Sequence, residues 1–143
     1  MRVLLLSWQF WAVLSAIFAA FTAILAKVGV EGVNPDFATF IRTLVIALAI
    51  AGILFGTGAW QAPGAVPSRS YLFLVLSGLA TGASWLCYFR ALKLGDAARV
   101  APIDKLSVVM VALFGVAILG EKLSLFNWLG IALIGGGAIL VAY

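Results

Sequence analysis

The chain has 143 residues, 65% of them hydrophobic and 10% charged, with a net charge of +4, one cysteine and no histidine. Soluble domains carry about 25% charged residues, so this composition excludes a water-soluble globule and makes lipid the solvent. Without histidine or a cysteine pair the common metal sites and acid–base constellations are missing, and neither a metal nor a cofactor is expected.

Five apolar stretches fill the chain: Trp8 to Val28, Phe37 to Gly58, Tyr71 to Leu92, Ala101 to Leu119, and Leu125 to Val141. About 20 helical residues, rising about 1.5 Å each, cross a hydrocarbon core of about 30 Å. The stretches are apolar on every face, which selects helices over the alternating strands of a barrel. The expected fold is an all-α membrane protein, one domain over residues 1–143, with five transmembrane helices in a bundle.

The first stretch opens like a secretory signal, with Arg2, the run Val3 to Leu6, and small residues Ala16, Ala19 and Ala20. Its apolar run continues to Ala26, too long for a signal core, so an uncleaved span is expected. After the turn Gly29 to Asp36, the second stretch carries Arg42 about one and a half turns inside, and Gly52 with Gly56 as a small-xxx-small pair. A charge at membrane depth costs about 2.5 to 3.5 kcal/mol on insertion scales, so Arg42 needs a partner or water. Asp104 is one candidate partner.

Pro63, Gly64 and Pro67 form turns in the next connection, Ala59 to Ser70. In the third stretch Ser77, Thr81, Ser84 and Tyr88 recur at spacings of four, three and four, along one helix face. Two readings stay open for this stripe: hydrogen bonding between helices or to the preceding turn, or the lining of a cavity with Trp85 and Tyr88 as aromatic contacts. Gly78 and Gly82 form a second small pair, and Cys87 reads as packing. Arg90 near the stretch's end reads as snorkelling to the headgroups.

Past the short turn Gly95 to Val100, the fourth stretch holds Pro102, Asp104, Lys105 and Ser107. Proline favours the first helical position, which would put Asp104 in the first turn, where a carboxylate complements the helix dipole. A Lys105–Ser107 dyad would need two residues that point to different helix faces, so no enzyme is expected. After Gly120 to Ser124, Ala132 and Gly136 give the last stretch a third small pair. Such pairs let backbones approach in lipid, where burial from water no longer drives association.

Five spans place the termini on opposite sides of the bilayer, so one copy reads as half of something. Lys27, Glu31, Asp36, Arg42, Arg90, Lys93, Asp96, Arg99, Asp104 and Lys105 fall at one end of the expected bundle; Arg2, Arg69, Glu121 and Lys122 fall at the other. Scattered basic residues with no basic stripe exclude nucleic acid as a partner. The Lys and Arg tally is six on the charged end (Lys27, Arg42, Arg90, Lys93, Arg99, Lys105) against three (Arg2, Arg69, Lys122). Leaving out Arg42, Arg90 and Lys105, the three that lie deeper in their spans than Lys27, makes it three against three, a weak bias toward an outside N-terminus of the kind a chain inserting both ways would carry.

The run Tyr88-Phe89-Arg90-Ala91-Leu92, then Ala98-Arg99-Val100-Ala101-Pro102-Ile103-Asp104-Lys105-Leu106-Ser107, then Leu119-Gly120-Glu121-Lys122-Leu123-Ser124 and Trp128-Leu129-Gly130-Ile131-Ala132-Leu133-Ile134, resembles an EamA-type domain of the drug/metabolite transporter superfamily. Ala26-Lys27-Val28-Gly29-Val30 and Phe40-Ile41-Arg42 resemble the end of that domain's first span and its second-span arginine. The resemblance covers essentially the whole chain. It implies one repeat of a ten-helix transporter built from two five-span repeats of opposite orientation, with the substrate path at their interface.

On that resemblance the chain is expected to transport a small metabolite by alternating access in the prokaryotic cell (inner) membrane. It would pair as a homodimer, antiparallel in the simplest case, or with a related five-span chain. Substrate-path candidates are Arg42, Thr81, Ser84, Trp85, Tyr88, Asp104, Lys105 and Ser107. Small multidrug exporters of the same superfamily use a glutamate in the first span, whereas Trp8 to Ala26 contains no carboxylate. Proton antiport of drugs is disfavoured, and Asp104 is the one candidate at membrane depth for any proton coupling. The alternative is a non-transporting membrane subunit or regulator.

Overall fold

The computed structural model describes residues 7–143; Arg2 and the run Val3 to Leu6 lie outside them. Among the described residues six α-helices follow one another: α1 (Trp8–Gly29), α2 (Pro35–Thr57), α3 (Ser68–Leu94), α4 (Ala97–Asp104), α5 (Ser107–Leu119) and α6 (Leu125–Ala142). A single 3₁₀ turn, Pro63–Ala65, sits between α2 and α3, and no strand occurs among the described residues. Five segments are long and apolar enough to cross a membrane, α4 and α5 together forming the fourth, Ala97–Leu119. The all-α, five-span fold class expected from composition is therefore the observed one.

Local chemistry sets the helix ends. Asn34 caps α2, its Oδ1 accepting from the backbone N–H of Asp36 (2.9 Å) and Phe37 (3.3 Å), with Pro35 preset for the first turn. Gly58, at φ 65°, ends α2 in a left-handed conformation that favours glycine. Ser124 caps α6 through a capping box: its Oγ accepts from Asn127 N–H (3.3 Å) and its N–H donates to Asn127 Oδ1 (2.9 Å).

The fourth span departs from expectation. Pro102 stands inside α4 instead of opening the helix, which begins at Ala97 with Asp96 as its cap residue. A proline there lacks the N–H that would close the helical turn, and the chain tightens just beyond it. Lys105 N–H reaches Pro102 O (3.1 Å), Leu106 N–H reaches Ile103 O (3.0 Å), Val108 N–H reaches Lys105 O (2.9 Å) and Val109 N–H reaches Leu106 O (3.0 Å). These three-residue closures interrupt the span between Asp104 and Ser107. Asp104 thus lies in the last turn of α4, where a carboxylate opposes the helix dipole; the first-turn placement is corrected.

The chain divides into two compact units. One comprises the residues through Val28 together with Leu94–Tyr143; the other is Gly29–Lys93. In the first, α4 and α5 both pack on α6, and Lys27 Nζ donates to Gly95 O at 2.9 Å, joining the end of α1 to the turn before α4. The buried face of α6 runs through Gly135 and Ala138, with Trp128, Ile131 and Ala142 half-buried at the same helical spacing. Ala132 and Gly136 are exposed, one step around the helix from that face.

The second unit contains α2 and α3. Three contacts pair residue 42 with 85, 36 with 90, and 33 with 93, so the index rises on one helix as it falls on the other. That register makes the pair antiparallel, as the short connection requires. Val30, Phe89, Leu92 and Thr39 are buried here, whereas Cys87 is exposed and does not pack as expected.

Candidate functional site

Between α2 and α3 lies an open groove of about 400 Å³. Thr43, Ile46 and Ala47 line it from α2; Leu74, Ser77, Gly78, Thr81, Gly82 and Trp85 line it from α3. Both helices cross the apolar layer, so these polar groups sit where lipid cannot satisfy them. Thr43 Oγ1 donates to Thr39 O at 2.8 Å and Thr81 Oγ1 to Ser77 O at 2.9 Å. Thr81 thus donates its hydroxyl hydrogen to the preceding turn and is also one of the residues lining the groove.

Arg42 stands beside the groove, stacked on its lining residue Trp85. It is the eighth residue of α2, about 10 Å inside the helix at 1.5 Å per residue. Its guanidinium carbon lies 4.0 Å from the centre of the Trp85 ring and 5.5 Å from that of Phe89. Such contacts contribute about 0.5–2 kcal/mol each, more when desolvated. The expected partner Asp104 instead receives Lys105 Nζ at 3.1 Å, so each group is engaged within its own unit. Among the described residues of Gly29–Lys93 no carboxylate pairs with Arg42.

Beyond Arg42, two further contacts hold the same helices together. Arg90 Nε and Nη2 donate to the two carboxylate oxygens of Asp36 at 3.1 and 2.9 Å, a bidentate pair. Lys93 Nζ donates to Val33 O at 2.9 Å. Arg90 is therefore paired, not simply snorkelling as expected. With the Arg42–Trp85 stack these contacts clamp one end of the α2–α3 pair.

Of the sequence-derived candidates, the structure brings Arg42, Trp85 and Thr81 together around one groove. Tyr88 is half-buried one turn from Trp85, and Ser84 is exposed and contributes nothing to the lining. Asp104, Lys105 and Ser107 flank the interruption of the fourth span. A Cβ added at Gly52, Gly56, Gly78, Gly82 or Gly136 would meet nothing within 4 Å, so these expected packing positions make no close approach within the chain. Close approaches occur instead at Gly135, whose added Cβ would lie 3.2 Å from Val109 Cγ2, and at Gly115.

Gly115 marks a residue the sequence reading assigned to a loop. Gly120, at φ 70°, turns the chain after α5, Glu121 N–H donates to Gly115 O at 3.1 Å, and the Glu121 side chain folds back over Gly115. A Cβ on Gly115 would stand 2.6 Å from Glu121 Oε2. Glu121 also borders a second cavity, about 430 Å³, with apolar walls from α5 and α6 such as Val111, Ala112 and Ile131. The available signal was the Gly115…Gly120-Glu121 spacing: a glycine one turn back from a glycine-ended helix leaves room for a returning side chain.

The profile of the EamA-like transporter family matches residues 6–143. The chain belongs to that family. An uncharacterized transporter in a cobO 3′ region of Sinorhizobium sp is 70% identical over 136 residues, which cover 95% of this chain and 96% of the relative. The uncharacterized transporter YxxF of Bacillus subtilis (strain 168) is 30% identical over 132 residues, 91% of this chain and 40% of its own length. No solved structure matches. This EamA-family chain is an integral, multi-pass membrane transporter.

Proposed function

We propose that this EamA-family chain moves a small metabolite by alternating access, as a dimer, in the cell (inner) membrane of a prokaryote. The observation that carries the reading is the α2–α3 groove, with a cation stacked on tryptophan at one end and threonine oxygens along its length, inside two membrane-crossing helices. A solute held there would exchange between the two sides as helices rock about it. Dimerisation draws support from length: one relative matches the chain over nearly its whole length, whereas the other is long enough to hold a second such unit. Five spans would present two inverted repeats by pairing with a second such unit, an antiparallel copy in the simplest arrangement or a related five-span chain.

The test combines topology with flux. Reporter fusions at the C-terminus should read both orientations, and Cys87 crosslinking in membranes should give dimers. A metabolite screen of a deletion strain should then yield a solute whose uptake into proteoliposomes needs the protein. A single orientation with no crosslinked dimer removes the self-paired arrangement. Dimers that move none of the solutes found by the screen would favour a non-transporting subunit.

A further inference from the structure

We infer that the Arg42–Trp85 stack binds the negatively charged group of an organic anion whose apolar body lies in the α2–α3 groove. The inference rests on the transport reading only in calling that anion a solute.

Charge bookkeeping within Gly29–Lys93 comes first. That unit holds four basic side chains (Arg42, Arg69, Arg90, Lys93) and two acidic ones (Glu31, Asp36). Asp36 is occupied at both oxygens by Arg90, Lys93 is on the Val33 carbonyl, and Arg69 lies over Phe73 outside the groove. The neighbours of Arg42 within this unit are aromatic, Trp85 and Phe89 by their ring faces and Tyr88 nearby, and none is a carboxylate. Stacking uses the flat face of a guanidinium and leaves its N–H edge pointing sideways, in the fork geometry that fits a carboxylate or phosphate. Among the described residues no acceptor takes a hydrogen bond from that edge.

The groove itself selects the rest of the ligand. Ile46, Ala47 and Leu74 give apolar walls, and Gly78 leaves space beside them. The Thr43 and Thr81 hydroxyl hydrogens are already donated within their helices, so those two oxygens can only accept from a ligand, while the Ser77 hydroxyl in the same lining can donate or accept. No carboxylate lines the groove, so a ligand cation would find no counter-charge there. The complementary molecule is an organic acid with an apolar body, and a hydroxyl on that body would donate to the threonines. A lipid headgroup phosphate carries the same anionic chemistry, so the experiment must separate the two sources.

The test uses the full chain in nanodiscs of neutral phosphatidylcholine, with thermal unfolding as the readout. Probes are benzoate, 4-hydroxybenzoate, hexanoate and succinate, each beside its neutral amide. At least one acid should raise the melting temperature in a saturable way while its amide does not. Arg42→Gln should weaken that acid at least tenfold, and Arg42→Lys less than that. If every acid behaves like its amide, or Arg42→Gln binds like the unmodified chain, the inference is overturned. Should Arg42→Gln fail to fold, Thr43→Val is read instead: it should weaken 4-hydroxybenzoate relative to benzoate, and an unchanged ratio counts against the groove.

In discs containing phosphatidylglycerol the acid response should persist. Its disappearance there, with retention of that lipid by the unmodified chain but not by Arg42→Gln, reassigns the site to a headgroup and overturns the solute assignment. Because binding is read without flux, a chain that binds acids but transports nothing breaks the transport reading alone. One that transports only neutral or cationic solutes breaks this inference alone.

Discussion

Glycine means opposite things in the two units. Along α3, Gly78 and Gly82 border open space in a groove edged by threonine and tryptophan; between α5 and α6, Gly135 lets Val109 approach more closely than most side chains would allow. The first arrangement leaves a place for something else, and the second fills the place with the chain itself. In lipid, where apolar surface is not squeezed out of solvent, such close fit is what holds helices, so polarity can be spent on a ligand only where fit is given up. Four perturbations sharpen or break that contrast.

The largest effect is expected from placing the same side chain in both places. Gly135→Leu overpacks the α5–α6 contact and should cost about 1–3 kcal/mol, seen as a lowered melting temperature or loss of folded protein. Gly78→Leu should leave the melting temperature near that of the unmodified chain while blocking solute binding. Equal destabilisation by both would erase the distinction between packing and groove glycines.

Arg42→Gln comes next. Transport should fall at least tenfold with expression preserved, since the charge facing the groove is lost while the apolar contacts with Trp85 are partly kept. Full transport by this variant would detach the groove from function.

Smaller still is Gly115→Ala. The added methyl displaces the Glu121 carboxylate, the far end of a flexible side chain, so stability should change by under about 1 kcal/mol. Combining it with Glu121→Ala should give a non-additive cycle, because one change removes what the other pushes away. Additive effects would mean that the two residues do not meet.

The smallest effect is expected from Asp36→Asn. The Asp36–Arg90 pair is about half exposed on both sides, where ion pairs contribute little. Folded yield should be unchanged, and any effect should appear as faster exchange of the backbone amides near Val33 and Asn34. A collapse of folded protein would show that the clamp, not the groove, organises this unit.

Much of the architecture was legible in the residues because its cause is local. Twenty apolar residues span a bilayer whatever their neighbours, and the five segments drawn from composition match the helices to within a few residues. Arg42, Thr81 and Trp85 could be named in advance for a similar reason: a charge, a hydroxyl stripe and a large ring are conspicuous against alkane-like surroundings. Pro102 misled because proline fits both the first turn of a helix and, with tightening beyond it, an interior position; Ala97, Ala98 and Arg99 allow the helix to start earlier. The α6 packing face was off by one residue because Ala132, Gly135, Gly136 and Ala138 are all small, and size alone cannot choose among them.

By itself, then, the sequence determined a five-span, all-helical membrane protein and which few polar residues need an explanation in lipid. Only the tertiary structure decided which partners those residues take. Arg42 lies on Trp85, Asp36 takes Arg90, and Glu121 turns back onto Gly115. The reason is physical: insertion into lipid sums over residues one at a time, whereas pairing depends on the register of two antiparallel helices and the turn of a loop. A single chain reading carries no term for either.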